Sequence, residues 1–269
     1  MEELLNIITS HGKIEHAPPV IYYYQFEVGQ ENDSMLQTVL PAVYFDIIFP
    51  PGISVVTNGK EVLHEKPFVA PVLNRCKQVR FIKGSKVFGI RLRPEYSTLL
   101  FDIKGEEFCQ GPNNYSDVVN CKYKNSILKI VRENIDFDEK IRLLNPIFED
   151  LQLKSCACLV RQSLEIIRSK KNIQVGDLSV ETKFSSRWLE MNFLEYLGVS
   201  PSEIIKIVRF NRFLNALQKE SELSLTQLAL ETGYYDQSHL IREFKLYSSS
   251  LPGIYKRNYP LISKVLNHL

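Results

Sequence analysis

Gln237, Ser238, His239 and Arg242 carry side chains whose hydrogen-bonding groups match the edge of a base pair. Gln can bind adenine through two hydrogen bonds, Arg can bind guanine likewise or hold a phosphate, and Ser and His can do either. Their spacing keeps them together. Leu240, Phe244 and Tyr247 take the inner side of a helix that Asp236 is placed to cap, so the four polar residues project near its N-terminal end, with Lys245 further along. A 51-residue step back finds Ser186, Arg187, Glu190 and Met191 outside a second such helix, with Leu189 and Phe193 inside.

That step is an internal echo. Phe184-Ser185-Ser186-Arg187-Trp188-Leu189 through Phe193 to Pro201 matches Tyr235-Asp236-Gln237-Ser238-His239-Leu240 through Phe244 to Pro252. In both copies Leu precedes Phe by four residues, Tyr follows it by three and Pro by eight. Each copy reads as a short helix, a tight turn and a second helix, the plan of a helix-turn-helix. The first unit takes a scaffold helix over Ile173–Thr182, a cap at Ser185 or Ser186 and a reader helix over Ser186–Tyr196. Pro201 then opens a long helix to Gln218, a rigid spacer. The second unit has a scaffold helix with Leu225, Leu228 and Ala229 inward, and Gly233 as the turn residue able to take positive φ. Upstream, Cys156–Ser169 reads as an amphipathic helix.

Ala229-x-x-x-Gly233-Tyr234-Tyr235-Asp236-Gln237-Ser238-His239-Leu240-x-Arg242-x-Phe244-Lys245, with Pro252 beyond, resembles the signature of AraC/XylS-type transcriptional regulators. Pro201-x-x-x-Ile205-x-x-x-Arg209-x-x-x-Phe213-x-x-Ala216 resembles that family's linker helix. The resemblance covers about 155–258. It implies a bacterial, sequence-specific binder of double-stranded DNA that acts at promoters, usually as an activator touching RNA polymerase. Two positions depart from the pattern. Met191 stands where the family often carries a basic residue, and Ser249 where it has a Gly. The second unit is therefore expected to dominate specificity.

Residues 1–154 read differently. Val20–Phe26, Val43–Phe49 and Val87–Leu92 are rich in β-branched and aromatic residues, and Asn58-Gly59 is a hairpin signal. Short strands with turns between them favour a small barrel or sandwich, which resembles the cupin-like regulatory domains of many family members. Helices are expected over Pro94–Phe101, Tyr115–Glu133 and Asp138–Leu153. The Tyr22–Tyr24 run reads as core rather than pocket lining, and Arg91 and Arg93 as solvated.

The chain of 269 residues has 44% hydrophobic and 24% charged residues, ordinary for a soluble globular protein. Its formal net charge of +2 is unevenly spread. Residues 155–269 hold 15 Lys and Arg against 11 Asp and Glu, a net of +4, leaving the rest at −2. Modest non-specific DNA affinity and a shallow salt dependence follow. Five unpaired cysteines suit free thiols in a reducing cytoplasm. The opening Met-Glu-Glu-Leu-Leu has no secretory pattern, and no apolar run is long enough for a membrane.

The expectation is an α+β two-domain regulator and not an enzyme. Residues 1–154 form a β-rich, cupin-like regulatory or dimerisation domain with C-terminal helices. Residues 155–269 form an all-α DNA-binding domain, two helix-turn-helix units joined by a long helix and reading two successive major grooves. Ser186, Arg187, Glu190, Met191, Gln237, Ser238, His239, Arg242 and Lys245 are its DNA-facing residues. No catalytic residue, metal ligand or cofactor is implied. A small-molecule effector and a homodimer, with the 115–153 helices as its interface, fit the plan. The alternative is a degenerate relative that serves as a ligand-binding or protein-interaction adaptor with little DNA binding. A catalytic barrel would need converging ionisable residues in 20–93, and a methyl-accepting cysteine would need a Pro that Cys76 lacks.

Overall fold

The computed structural model describes residues 5–10, 19–28, 34–50, 53–57, 60–108, 112–149, 151–153, 155–219 and 223–257. Among the described residues, nine strands come first: β1 (Leu5–Ser10), β2 (Val20–Val28), β3 (Ser34–Val39), β4 (Phe45–Phe49), β5 (Ile53–Thr57), β6 (Lys60–His64), β7 (Phe68–Ala70), β8 (Lys77–Ile82) and β9 (Lys86–Leu92); a tenth, β10 (Asn113–Asn114), lies among the helices that follow. They make two antiparallel sheets, ordered β1-β2-β9-β4-β7-β10 and β3-β8-β5-β6. Asn58-Gly59 lies outside the described residues, but the strands it joins pair antiparallel with Thr57 opposite Lys60.

The larger sheet is covered on both faces, which is why β2 lacks a clean polar alternation. Tyr22, Tyr24 and Phe26 point toward the smaller sheet, where the Phe26 and Phe81 rings meet edge to face at 5.1 Å. Tyr23 points the other way and donates from its hydroxyl to Asn145 Oδ1 at 3.0 Å. That face is capped by a 3-10 turn (Pro94–Tyr96) and by α1 (Ser97–Leu100), α2 (Gly105–Phe108), α3 (Tyr115–Val118), α4 (Cys121–Arg132) and α5 (Phe137–Glu149). The helix expected over Tyr115–Glu133 is broken. Val119 is extended and bridges to Phe101, and Asn120 restarts the chain as a cap that accepts from Lys122 N at 3.0 Å. The helix expected to reach Leu153 is described over Phe137–Glu149, with Pro146 inside it, and residues 151–153 are not helical.

Arg91 corrects the expectation of a solvated side chain. It is fully buried, and its guanidinium donates to both Asp46 carboxylate oxygens, at 3.0 and 2.9 Å. It also donates to the Tyr22 hydroxyl and lies 3.4 Å from the Tyr44 ring centre. Burial disfavours its charge, but Asp46, Tyr44 and Tyr22 more than offset that, so Arg91 stays protonated well above its usual range. Burial pushes the Tyr22 hydroxyl up to about 12. Beside this knot, a cavity of about 130 Å³ opens between the sheets, walled by Tyr24, Phe26, Tyr44, Asp46, Val79 and Phe81. Tyr24 therefore does both jobs weighed for the tyrosine run.

The rest of the chain is helical: α6 (Ser155–Ser169), α7 (Val175–Thr182), α8 (Ser186–Leu197), α9 (Pro201–Gln218), α10 (Leu225–Glu231), α11 (Gln237–Ser248) and α12 (Pro252–Arg257). One apolar core runs from the larger sheet through α1–α5 into α6, α7, α8 and the first half of α9. A separate core holds the second half of α9, α10, α11 and α12, and Leu40 of the β-rich half inserts into it, fully buried. Among the described residues, no helix is long and apolar enough to cross a membrane.

Candidate nucleic-acid interface

Each reader helix begins at a side-chain cap. Ser185 Oγ accepts from Trp188 N at 3.2 Å to start α8, and Asp236 Oδ1 accepts from His239 N at 2.6 Å to start α11. These caps fix where each helix N-terminus, with its positive dipole end, begins. The reader helix expected to end at Tyr196 runs one residue further, and Gly198 closes it in the left-handed conformation at φ 72°. Leu189, Phe193, Leu240, Phe244 and Tyr247 are all fully buried, so each helix presents its opposite face outward.

The scaffold helices differ more than the sequence echo implies. The first starts at Val175, two residues later than expected, because Gln174 and Asp177 form a reciprocal cap. Its turn passes through Lys183 at φ 61°. The second turn passes through Gly233 at φ 95°, where a Cβ would lie 2.3 Å from Lys171 O. Gly233 is thus required both for its φ and for close packing of unit 2 on the α6–α7 connection. Arg212 of α9 closes the same region, donating to the carbonyls of Arg168, Lys170 and Lys171 at 3.2, 3.0 and 3.2 Å. Ser249, at the position of the expected glycine, takes the left-handed conformation itself, at φ 56°.

The nominated side chains fall into two groups. Ser186, Arg187, Glu190 and Met191 on α8, and Ser238, Arg242 and Lys245 on α11, are exposed and carry no ion pair among the described residues. Gln237 and His239 are engaged within the domain. Gln237 Oε1 accepts from Thr226 Oγ1 at 2.8 Å, which leaves its NH2 group free to donate. His239 Nδ1 accepts from Tyr235 N at 3.5 Å, and Nε2 lies 3.3 Å from Glu243 Oε1. Arg209 in turn donates to both Glu243 oxygens, at 3.3 and 2.6 Å, and sits over the Tyr234 ring. Glu243 and Arg209 therefore neutralise each other behind the reader helix, leaving Arg242 and Lys245 as its outward charge.

Sequence reasoning missed a contact between the β-rich half and unit 2. Arg75, on the β7–β8 loop, pairs with Glu203 Oε1 at 2.8 Å and lies 5.5 Å from the centre of the Tyr247 ring. Tyr247 donates to the same oxygen at 2.9 Å, and Cys76 Sγ lies 3.2 Å from Ser249 Oγ. Asn211 Nδ2 donates to Pro41 O at 3.2 Å. Nothing in the local pattern around Arg75 distinguishes it from a solvated loop arginine. Burial disfavours the Glu203 anion, yet bonds from Arg75 and Tyr247 outweigh that and hold its carboxyl below the usual range. Neighbouring loop residues Pro71, Val72, Leu73 and Asn74 line the cavity between the sheets.

The model of a protein family described as a helix-turn-helix domain matches residues 178–258, both units and the α9 spacer. Residues 178–258 thus form a helix-turn-helix domain. Among solved structures, the chain is similar to ToxT from Vibrio cholerae, at 11% identity over 93% of this chain and 98% of that one, with a TM-score of 0.47. It is similar to a probable AraC family transcriptional regulator from Rhodopseudomonas palustris, at 26% identity over 37% of this chain and 95% of that one, TM-score 0.34. A transcriptional regulator with an AraC-type DNA-binding domain from Chromobacterium violaceum gives 21% identity over 38% and 93%, TM-score 0.36. No curated protein matches the chain.

Proposed function

We propose that residues 155–269 read two successive major grooves of a promoter and that the protein activates transcription there. The observation that carries this reading is the doubled reader. Two side-chain-capped helices, α8 and α11, sit on either side of a spacer and expose hydrogen-bonding side chains at their N-terminal ends. The 18-residue spacer α9 is about 27 Å long at 1.5 Å per residue, commensurate with the ~34 Å between successive major grooves. Ser186, Arg187, Glu190 and Met191 would face one groove, and Gln237, Ser238, His239, Arg242 and Lys245 the other. Residues 1–154 form the regulatory part. Their cavity holds a small-molecule effector, and the β7–β8 loop, which lines that cavity and grips Glu203, carries the signal to unit 2. A homodimer through the 115–153 helices adds avidity, and the activator acts by touching RNA polymerase.

A hydroxyl-radical footprint of the full chain on a selected duplex tests the two-groove arrangement. Two protected segments about one helical turn apart are expected. A single protected segment would leave one unit outside the DNA, and no protection would favour the adaptor alternative.

A further inference from the structure

The two reader helices are built alike but carry opposite chemistry on one strip. On α11, His239, Arg242 and Lys245 recur every third residue. The equivalent positions on α8, one 51-residue step earlier, are Trp188, Met191 and Leu194. Residues three apart are neighbours on a helix surface, so each trio makes a continuous strip. In unit 2 every member can carry positive charge or donate a hydrogen bond. In unit 1 the strip carries no charge, and the indole N–H of Trp188 is its one hydrogen-bonding group.

This strip is not buried in the protein. Met191 is 60% exposed, the largest exposure of any side chain on that strip, with Trp188 and Leu194 half-buried on either side. Trp188 is held by Phe184, with ring centres 4.2 Å apart and planes at 23°, so its position is fixed before any partner arrives. Leu189 and Phe193 already supply the core face of α8, and Met191 adds nothing to it. Glu190, exposed beside it, carries an acceptor-only carboxylate that disfavours phosphate and guanine N7 and O6.

We propose that Met191, at the centre of this strip, selects thymine in the groove entered by α8, through the C5-methyl group. The inference rests on the DNA-reading function proposed above and assigns the chemistry of its first half-site. The thymine methyl is the one apolar group that an ordinary base pair presents in the major groove. A thioether side chain ending in a methyl packs on it without leaving a donor or acceptor unmet. Against a G·C pair the same side chain would cover guanine N7 and O6 without donating to them, which costs their hydration. Unit 1 thus reads shape and methyl groups, whereas unit 2 reads with charge.

The test uses the full chain and a duplex it enriches from random DNA. Each thymine is replaced singly by deoxyuridine, which removes only the methyl group, and affinity is measured for the natural chain, Met191→Ala, Met191→Leu and Met191→Arg. The natural chain loses about fourfold at one or more thymines of one half-site, the effect of one buried methyl-sized group. Met191→Ala binds the thymine and uracil duplexes equally there, while Met191→Leu keeps the difference. Met191→Arg abolishes it and steepens the salt dependence by about one phosphate contact. Uracil scanning with no effect at any position overturns the proposal, as does an effect that persists in Met191→Ala. Failure of the natural chain to enrich any duplex overturns the DNA-reading function as well, and so is told apart from failure of methyl readout alone.

Discussion

Asp46 and Arg91 show how a single residue pair sets the terms for the β-rich half. Arg91 is fully buried, and Asp46 supplies two of its charge-assisted hydrogen bonds. Removing one partner of such a pair leaves the other charge uncompensated in a low dielectric, the costliest kind of single change. Asp46→Ala is expected to destabilise the protein by about 3 kcal/mol or more, read as a lowered denaturation midpoint. Replacing both, as Asp46→Leu with Arg91→Met, is expected to recover most of that loss. The sequence shows Arg91 as one charged residue between Ile90 and Leu92 at a strand end, with nothing to say which face it takes. Its burial depends on Asp46 lying opposite it in the register of β4 and β9, a pairing of residues 45 apart. The reader side chains were far more legible. They follow from helical period and a cap, both local, and Met191 and Arg242 emerge exposed as that period requires.

Elements were legible where one short-range rule decides them. The caps Ser185 and Asp236, the Pro201 start of α9 and the Gly233 turn all lie within a few residues of what they control. The broken helix at Val119 was not, because its extended conformation is fixed by a bridge to Phe101. The β7–β8 loop is the clearest long-range case. Arg75 meets Glu203 across 128 residues of chain, and the same loop walls the cavity. Because Arg75 and Tyr247 depress the Glu203 carboxyl, their bond stabilises the folded contact above the ordinary carboxylate range. That contribution is lost as pH falls through the depressed value. Melting followed between pH 3 and pH 7 is expected to show a loss of stability on the acid side that is smaller in Arg75→Ala. Identical acid profiles for the two proteins would show that the latch does not contribute.

At the scale of the whole molecule, the two readers stand on different foundations. Unit 1 shares one continuous core with the larger sheet, whereas unit 2 closes its own core around Phe210, Phe213, Phe244 and Tyr247 and, among the described residues, receives Leu40 and Cys76 from the other half. Charge follows the same division, since α11 carries outward Arg242 and Lys245 while α8 sets Arg187 against Glu190 and Glu195. The doubled helix-turn-helix was readable from a 51-residue echo, because a repeat is a pattern along the chain. The shared core was not, because packing between distant elements leaves no periodic mark. The central claim, that this chain reads DNA chiefly through unit 2, is tested most directly by selecting binding sites from genomic fragments at two salt concentrations. The full chain would be run beside Gln237→Ala and Arg242→Ala. One enriched motif, weakened or relaxed in both variants, is the expected result. Enrichment of the same motif with equal strength by all three proteins, or of none at either salt, would contradict it.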